Sequence, residues 1–217
     1  MAHPFWPLFD LEIRTPRLTL RMPNDDELVT LVGLIDRGIH EPDQMPFYVD
    51  WTSGESPKRE QSALQYHWGN RADLKAEDWR LEFGVWFDGE LVGCQGIHAS
   101  KFTTTRTVET GSWIVQSAQG QGIGKEMRAS VLAFAFETLN ADEATTDAYD
   151  WNARSIGVTE SLGYEPNGTK LVTTAVNEQG RVEAFRMSRA RWESSLRGQY
   201  SVEVSGAEPC LELLGAK

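Results

Sequence analysis

The sequence predicts a mixed α/β (α+β) domain, and three observations carry that reading. Arg80 to Phe87 and Glu90 to Ala99 alternate with period two around Asp88-Gly89, a strong hairpin signal. A glycine-rich run, Gln119-Gly120-Gln121-Gly122-Ile123-Gly124-Lys125, joins a strand-like segment (Val108 to Val115) to a helix-like one that reaches about Asn140. A further strand (Ala144 to Asp150) and a short helix (Asn152 to Leu162) follow, with Gly163-Tyr164 as the exit.

The remaining elements follow in order. Residues 11–22 alternate apolar and polar across Thr15-Pro16, as an edge strand interrupted by proline does. Asn24-Asp25-Asp26-Glu27 supplies a cap and an acidic first turn for a helix over about 25–37. The stretch from Pro42 to Gly54, rich in Pro, Asp and aromatics, reads as an ordered loop, and Ser56-Pro57-x-x-Glu60 opens a second helix to about Lys75. Thr103 to Arg106 forms a turn before the strand ending at Val115. After the glycines, Ile123, Met127, Val131 and Phe134 recur at helical spacing, and Leu132, Phe136 and Leu139 widen that face for packing on a sheet. Two final strands, about 169–176 and 181–189, flank an Asn177-Glu178-Gln179-Gly180 turn. Residues 1–190 are expected to form one domain. Residues 191–217 are read as a tail, with Ser201 to Val204 able to pair as a strand and Cys210-Leu211-Glu212-Leu213-Leu214 able to pack on the domain or a neighbouring subunit of a homo-oligomer.

Composition narrows the function classes. The 217 residues carry a formal net charge of -11 and a pI of about 4.9. That balance argues against nucleic acid, whose phosphates reward Lys and Arg, but not against one anionic ligand held by a local loop. The amino terminus lacks a basic segment before a long apolar core, and no stretch approaches about 18 apolar residues, so the expectation is a cytoplasmic protein without a membrane span. Cys94 and Cys210 suggest no disulfide framework, and the four histidines show no metal-ligand spacing.

Glycines 120, 122 and 124 let the backbone turn tightly and present successive N–H groups at a helix N-terminus, where dipole and unpaired donors favour an anion such as a pyrophosphate. A glycine loop alone is weak evidence, since a minority of such loops are only turns. It is not a Walker A loop, because Glu126 follows Lys125 and the glycine spacing differs. Nor is it a dinucleotide fingerprint, since Met127 stands where the third glycine belongs.

The Q-x-x-G-x-G pattern from Gln119 to Gly124 resembles the acyl-CoA signature of the GNAT acetyltransferase superfamily. Thr15 to Arg21 and the run Asn152-x-x-Ser155-x-x-Val158-x-x-x-Leu162-Gly163-Tyr164 resemble its RimJ/RimL-like branch. His3 to Leu18, Asp43 to Phe47, Gly111-Ser112-Trp113 and Met127 to Phe136 are similar to mycobacterial members of succinyltransferase type. The resemblance implies a mixed, mostly antiparallel central sheet flanked by helices. It also implies transfer of an acetyl or succinyl group from acetyl-CoA or succinyl-CoA to a primary amine, on a small molecule or a protein. Cofactor contacts are expected from Ile114, Val115, Gln116, Gln119, Gly120, Gln121, Gly122, Ile123, Gly124 and Lys125. Asn152 is expected on the pantetheine arm and Ser155 near the sulfur, although Asn152 also stands where a helix cap belongs. One departure matters: many family members carry a tyrosine where this chain has Thr159. That leaves Ser155 as the substitute proton donor and keeps open a catalytically silent acyl-CoA-binding regulatory module.

Aminolysis of a thioester needs a neutral amine, a polarised carbonyl and a leaving thiolate. The proposed base is Glu109, which shares a strand face with Gly111, Trp113 and Val115 and is expected to titrate high through desolvation beside Trp113. Asp147, Asp150 and His98 are weaker base candidates, and Trp51 and Trp68 are candidate acceptor-pocket walls. Backbone N–H groups of Ile114 to Gln116 are expected to polarise the carbonyl. A succinyl carboxylate would need a cation, sought among His67, Arg80, Lys101 and Arg106.

Overall fold

A computed structural model describes residues 3–217; the first two positions of the expected domain lie outside the described residues. Nine strands form one sheet in the order β7-β8-β6-β5-β4-β3-β2-β1-β9. In chain order these are β1 (Glu12–Arg14), β2 (Leu18–Arg21), β3 (Asp78–Phe87), β4 (Glu90–Ser100), β5 (Thr107–Ile114), β6 (Glu143–Tyr149), β7 (Glu165–Thr173), β8 (Gln179–Ser188) and β9 (Glu203–Ser205). The helices are α1 (Asp25–Gly33), α2 (Lys58–Ala72), the single turn α3 (Phe102–Thr105), α4 (Ile123–Ala133), α5 (Ala153–Ser161) and α6 (Arg189–Ser195). This is the mixed, mostly antiparallel sheet that was expected.

Local chemistry sets the elements. Asn24 and Glu27 form a reciprocal capping box at the start of α1, each side chain bonding the other's backbone N–H at 2.9 Å. Asp88 and Gly89 both take positive φ (50° and 82°), the geometry a two-residue β3–β4 hairpin demands. β4 is buried on both faces along most of its length and forms the middle of the core. Beside it, Gly93 lets β5 approach closely: a Cβ there would lie 2.2 Å from the Trp113 carbonyl oxygen.

Four expectations are corrected. Residues 11–22 are not one interrupted strand but an antiparallel hairpin, in which the Thr15 hydroxyl accepts from Leu18 N–H and Thr15 N–H donates to Leu18 O. The hydroxyl makes the turn that strand alternation hides. The helix after the glycines keeps α geometry only to Ala133 and widens over Phe134–Thr138 into π geometry, with Leu139 N–H donating to Phe134 O. The widening buries Phe134, Ala135 and Phe136 together, and Phe136 stacks on Trp192 at 5.3 Å. The segment Thr103 to Arg106, read as a turn, falls largely within α3. The closing hairpin turns at 174–178, earlier than 177–180, because the Thr174 hydroxyl accepts from Glu178 N–H and closes the loop there.

Beyond α6 the chain turns back over the opposite sheet edge. β9 pairs with β1, Cys210 and Leu214 are buried, and Trp79 Nε1 donates to Leu214 O at 3.1 Å. Among the described residues, no helix is long and apolar enough to cross a membrane.

One departure from regularity positions everything that follows. β5 and β6 are the only parallel neighbours among the paired strands, and they pair only at Thr107–Glu109 with Glu143–Thr145. Beyond that point β5 stays with β4 as far as Ile114, and β6 stays with β8 as far as Tyr149. The two strands therefore diverge into a wedge that opens toward the loop leading into α4.

Candidate active site

On one face of the wedge stand α4 and α5. Gly120 (φ 75°) and Gly122 (φ 80°) take left-handed backbone, and Gly122 occupies the N-cap position of α4 with no side chain capping the helix. The first-turn N–H groups of Ile123, Gly124 and Lys125 have no intrahelical acceptor, as at any helix start. Gly124 faces α5, where a Cβ would make an ordinary contact with Val158 at 3.7 Å. Three cations gather at this otherwise uncapped terminus. Arg17 donates to Gln121 O at 3.1 Å and pairs with the nearly buried Glu126, Arg154 donates to Gln119 Oε1 at 2.8 Å, and Lys125 lies in the first turn. Within a chain of net charge -11, this local arrangement has the chemistry that an anion would need, although Arg17 is shared with Glu126.

The predicted cofactor residues divide by what they already bind. Gln119 spans the loop, its Nε2 donating to Ile39 O and Ile114 O at 3.0 and 3.1 Å and its N–H to Gln116 O. Val115 N–H donates to Val92 O and Gln116 N–H to Gly38 O, so these two amides are not free to polarise a carbonyl, contrary to expectation. Antiparallel alternation explains the difference: the odd residues of β5 face β4 with their amides, which turns those of Ser112 and Ile114 toward the wedge. Asn152 acts as the helix cap, its Oδ1 accepting from Ser155 N–H at 3.1 Å, while its Nδ2 donates to no protein atom among the described residues. Ser155 sits in the first turn of α5, next to Arg154, whose guanidinium reaches Gln119 of the glycine loop. Thr159 is buried and its hydroxyl bonds Ser155 O at 3.0 Å, which holds it inside the fold.

The opposite face is built from side chains far apart in sequence. Glu109, the last β5 residue paired to β6, is half-exposed and lies 3.3 Å from His98 Nε2. The hydrogen bond from His98, with further help from Lys170 and Arg80, holds the Glu109 carboxyl below the ordinary carboxylate range. The expected upward shift is thus reversed, because the histidine contact outweighs burial. Above it, the segment between α1 and α2 bridges the mouth of the wedge. Trp51 packs on Trp113 of β5 at 5.4 Å, Phe47 on Trp51 at 5.0 Å, and Tyr48 on Tyr149 of β6 at 5.6 Å. Asp147 accepts from the Tyr48 hydroxyl at 2.6 Å and lies 3.6 Å from Lys170 Nζ, so it is already engaged. Burial and that aspartate push the Tyr48 phenol well up. Asp150 is exposed at the strand end. Trp68 is not a pocket wall on this geometry: its Nε1 faces Asp25 at 3.3 Å on the outer side of α2.

A family model for the acetyltransferase (GNAT) domain matches residues 17–165, from the first hairpin through the start of β7. The chain belongs to the GNAT acetyltransferase family. A Bacillus subtilis (strain 168) protein named "Putative ribosomal N-acetyltransferase YdaF" is 29% identical over 152 residues, 70% of this chain and 79% of the relative. Mycobacterium smegmatis RimJ, solved in complex with CoA-disulfide, superposes with a TM-score of 0.69 at 20% identity, over 88% of this chain and 96% of that one. RimL, the ribosomal L7/L12 alpha-N-protein acetyltransferase, solved with coenzyme A, gives a TM-score of 0.64 at 15% identity, over 80% and 95%. At those identities the two structures speak for the GNAT fold.

Sequence reading missed two residues of this candidate site. Arg17 and Arg154 act through partners 104 and 35 positions away, which no local pattern reveals, and His98, read only as a weaker base candidate, meets Glu109 11 positions on. Arg17 lay inside a recognised motif, the one signal that could have found it.

Proposed function

We propose that this GNAT protein transfers an acetyl or succinyl group from acyl-CoA directly to a primary amine. The observation that carries the proposal is the coincidence of the β5–β6 wedge with an uncapped α4 N-terminus ringed by Arg17, Lys125 and Arg154. The pyrophosphate rests on the amides of the glycine loop, and the pantetheine arm runs into the wedge, where Asn152 Nδ2 is a free donor. The amide of Ile114 polarises the thioester carbonyl. Glu109, kept ionised by His98, accepts a proton from the acceptor ammonium, directly or through a water. The amine nitrogen then attacks the carbonyl carbon, the C–S bond breaks, and Ser155 passes a proton to the departing thiolate while recovering the one that the new amide nitrogen sheds. The relative's name, a ribosomal N-acetyltransferase, is the ground for favouring a protein amine as acceptor. The aromatic loop from His40 to Thr52 would hold it.

A second reading, an acyl-CoA-binding module without turnover, draws on Thr159, which is buried and bonded where many family members place a tyrosine. Release of free thiol from acetyl-CoA and succinyl-CoA, measured over a panel of peptide and small-molecule amines, separates the two. Amine-dependent release supports the enzyme; tight acyl-CoA binding with no release under any amine supports the module.

A further inference from the structure

On the face that carries Glu109, the register of β3, β4 and β5 lays side chains out in rows. One row is Arg80, His98 and Glu109, the next Glu82, Gly96 and Gly111, and the third Gly84, Cys94 and Trp113. The middle row therefore holds a single side chain, Glu82, beside two bare backbone positions. Gly111 is exposed although β5 lies in the middle of the sheet, and a Cβ there would meet nothing within 4 Å. The Glu82 carboxylate leans over Gly96, its oxygens 3.0 and 3.2 Å from where a Cβ would stand. The two glycines thus leave an open trough across the strands, between Trp113 on one side and His98 with Glu109 on the other. Glu82 ends it at β3, and its other end meets the wedge where β5 parts from β6.

Glu82 is held in place but not neutralised. Its Oε1 accepts from the Tyr66 hydroxyl of α2 at 2.7 Å and its Oε2 from the Cys94 thiol at 3.2 Å. Burial, helped by the carboxylate, pushes both the phenol and the thiol up, so both stay protonated donors at neutral pH. Burial shifts the neighbouring His67 down, so it brings no charge there. Arg80, in the next row, is exposed and forms no ion pair with Glu82 among the described residues. The part-buried Glu27, Glu60 and Glu126, by contrast, each take an arginine. A carboxylate fixed by two neutral donors at the end of an open trough is suited to an incoming cation.

Glu82 and Glu109 stand two strands and two residues apart, which sets their Cα atoms roughly 12 Å from one another. We propose that Glu82 is a specificity residue that binds a second cation of the acceptor, about 10 Å from the amine served by Glu109. That cation is a basic side chain at the second or third position of a protein N-terminus. Two residues of extended peptide span roughly 7 Å, and a long basic side chain covers the remainder. This inference rests on the acyl-transfer reading of the same wedge. A linear polyamine carries the same pair of charges, so it belongs among the acceptors compared.

Initial rates of thiol release by the full chain, with acetyl-CoA and succinyl-CoA each as donor, test the assignment. The acceptors are the peptide Ala-Ala-Arg-Ala with a free amino and an amidated carboxyl terminus, its citrulline counterpart, spermidine and butylamine. Arginine is the probe because its guanidinium is not itself acylated. The wild type should favour the arginine peptide over the citrulline peptide by about tenfold or more in kcat/KM. The isosteric Glu82→Gln should erase that difference, with the loss falling on the KM of the arginine peptide and the acyl-CoA KM held. Gly111→Val fills open space with a residue that suits a strand, so it should keep native circular dichroism and acyl-CoA affinity while raising the KM of the arginine peptide. A wild type without the peptide preference overturns the proposal, and that comparison needs no variant to fold. So does a preference that survives Glu82→Gln, as it would if the glutamate were only structural, or an unchanged peptide KM in folded Gly111→Val. Discrimination of spermidine from butylamine, with none between the peptides, would move the cation to a free polyamine and overturn the peptide assignment. Absence of turnover with every amine would overturn the acyl-transfer reading itself, and this inference with it.

Discussion

The two faces of the β5–β6 wedge solve different problems with different materials. The face bearing α4 and α5 offers the proposed donor mostly backbone: left-handed glycines, unpaired first-turn amides, and a cap at Asn152. The opposite face uses side chains gathered from His40, Tyr48, Trp51, His98, Glu109 and Tyr149, which touch only after the sheet has formed. A phosphate-bearing ligand of constant shape can be served by main-chain donors, whose geometry demands glycine at fixed spacing. An acceptor is served by side-chain packing, which imposes no local spacing. On the proposed function, donor recognition is therefore written in short motifs, and acceptor recognition only in tertiary contacts.

That contrast can be broken by substitutions that should affect one face and spare the other. The largest expected effect is Glu109→Gln, which should lower turnover by about 10²- to 10⁴-fold through loss of the base, with acyl-CoA affinity unchanged. A matching fall in acyl-CoA affinity would place Glu109 on the donor face. Ser155→Ala should reduce kcat by about tenfold, less than loss of the base because water can also protonate a thiolate. Wild-type turnover in that variant would remove Ser155 from the mechanism. Trp51→Ala, which deletes the aromatic pair with Trp113, should raise the acceptor KM by about two- to tenfold and leave the acyl-CoA KM alone.

The smaller effects sharpen the electrostatics. Because His98 holds the Glu109 carboxyl low, Glu109 is ionised through neutral pH and protonates only below the ordinary glutamate range of about 4.3. Removing that partner in His98→Ala withdraws the group that favours the charged form. The acid limb of kcat/KM should then move upward in pH toward the ordinary value; a downward move or none would mean that His98 does not govern Glu109. The smallest change belongs to the scaffold: Asn24→Ala should cost about 1 kcal/mol of unfolding free energy through loss of the α1 cap, with neither substrate's KM affected.

Much of the fold was legible because local chemistry and tertiary structure agree. The Asp88-Gly89 hairpin, the Asn24 capping box and the apolar face of α4 each announce themselves within a few residues. Two of the misplaced elements share a cause: hydroxyls of Thr15 and Thr174 close turns that an apolar-polar alternation cannot register. At the candidate site, glycine spacing located the left-handed loop before α4, yet the direction of each amide depended on the β4–β5 register. The Glu109 shift went the opposite way because His98 lies on a neighbouring strand.

The central claim is that acyl-CoA seats its pyrophosphate on the uncapped start of α4, and the most direct test is calorimetric titration of CoA into wild type and Gly122→Asp. Aspartate tolerates left-handed backbone better than most residues, so the variant is expected to stay folded while placing a carboxylate among the amides that receive phosphate. The account predicts measurable CoA binding by the wild type and none by a Gly122→Asp protein of native circular dichroism. Unchanged CoA affinity in that folded variant would contradict it.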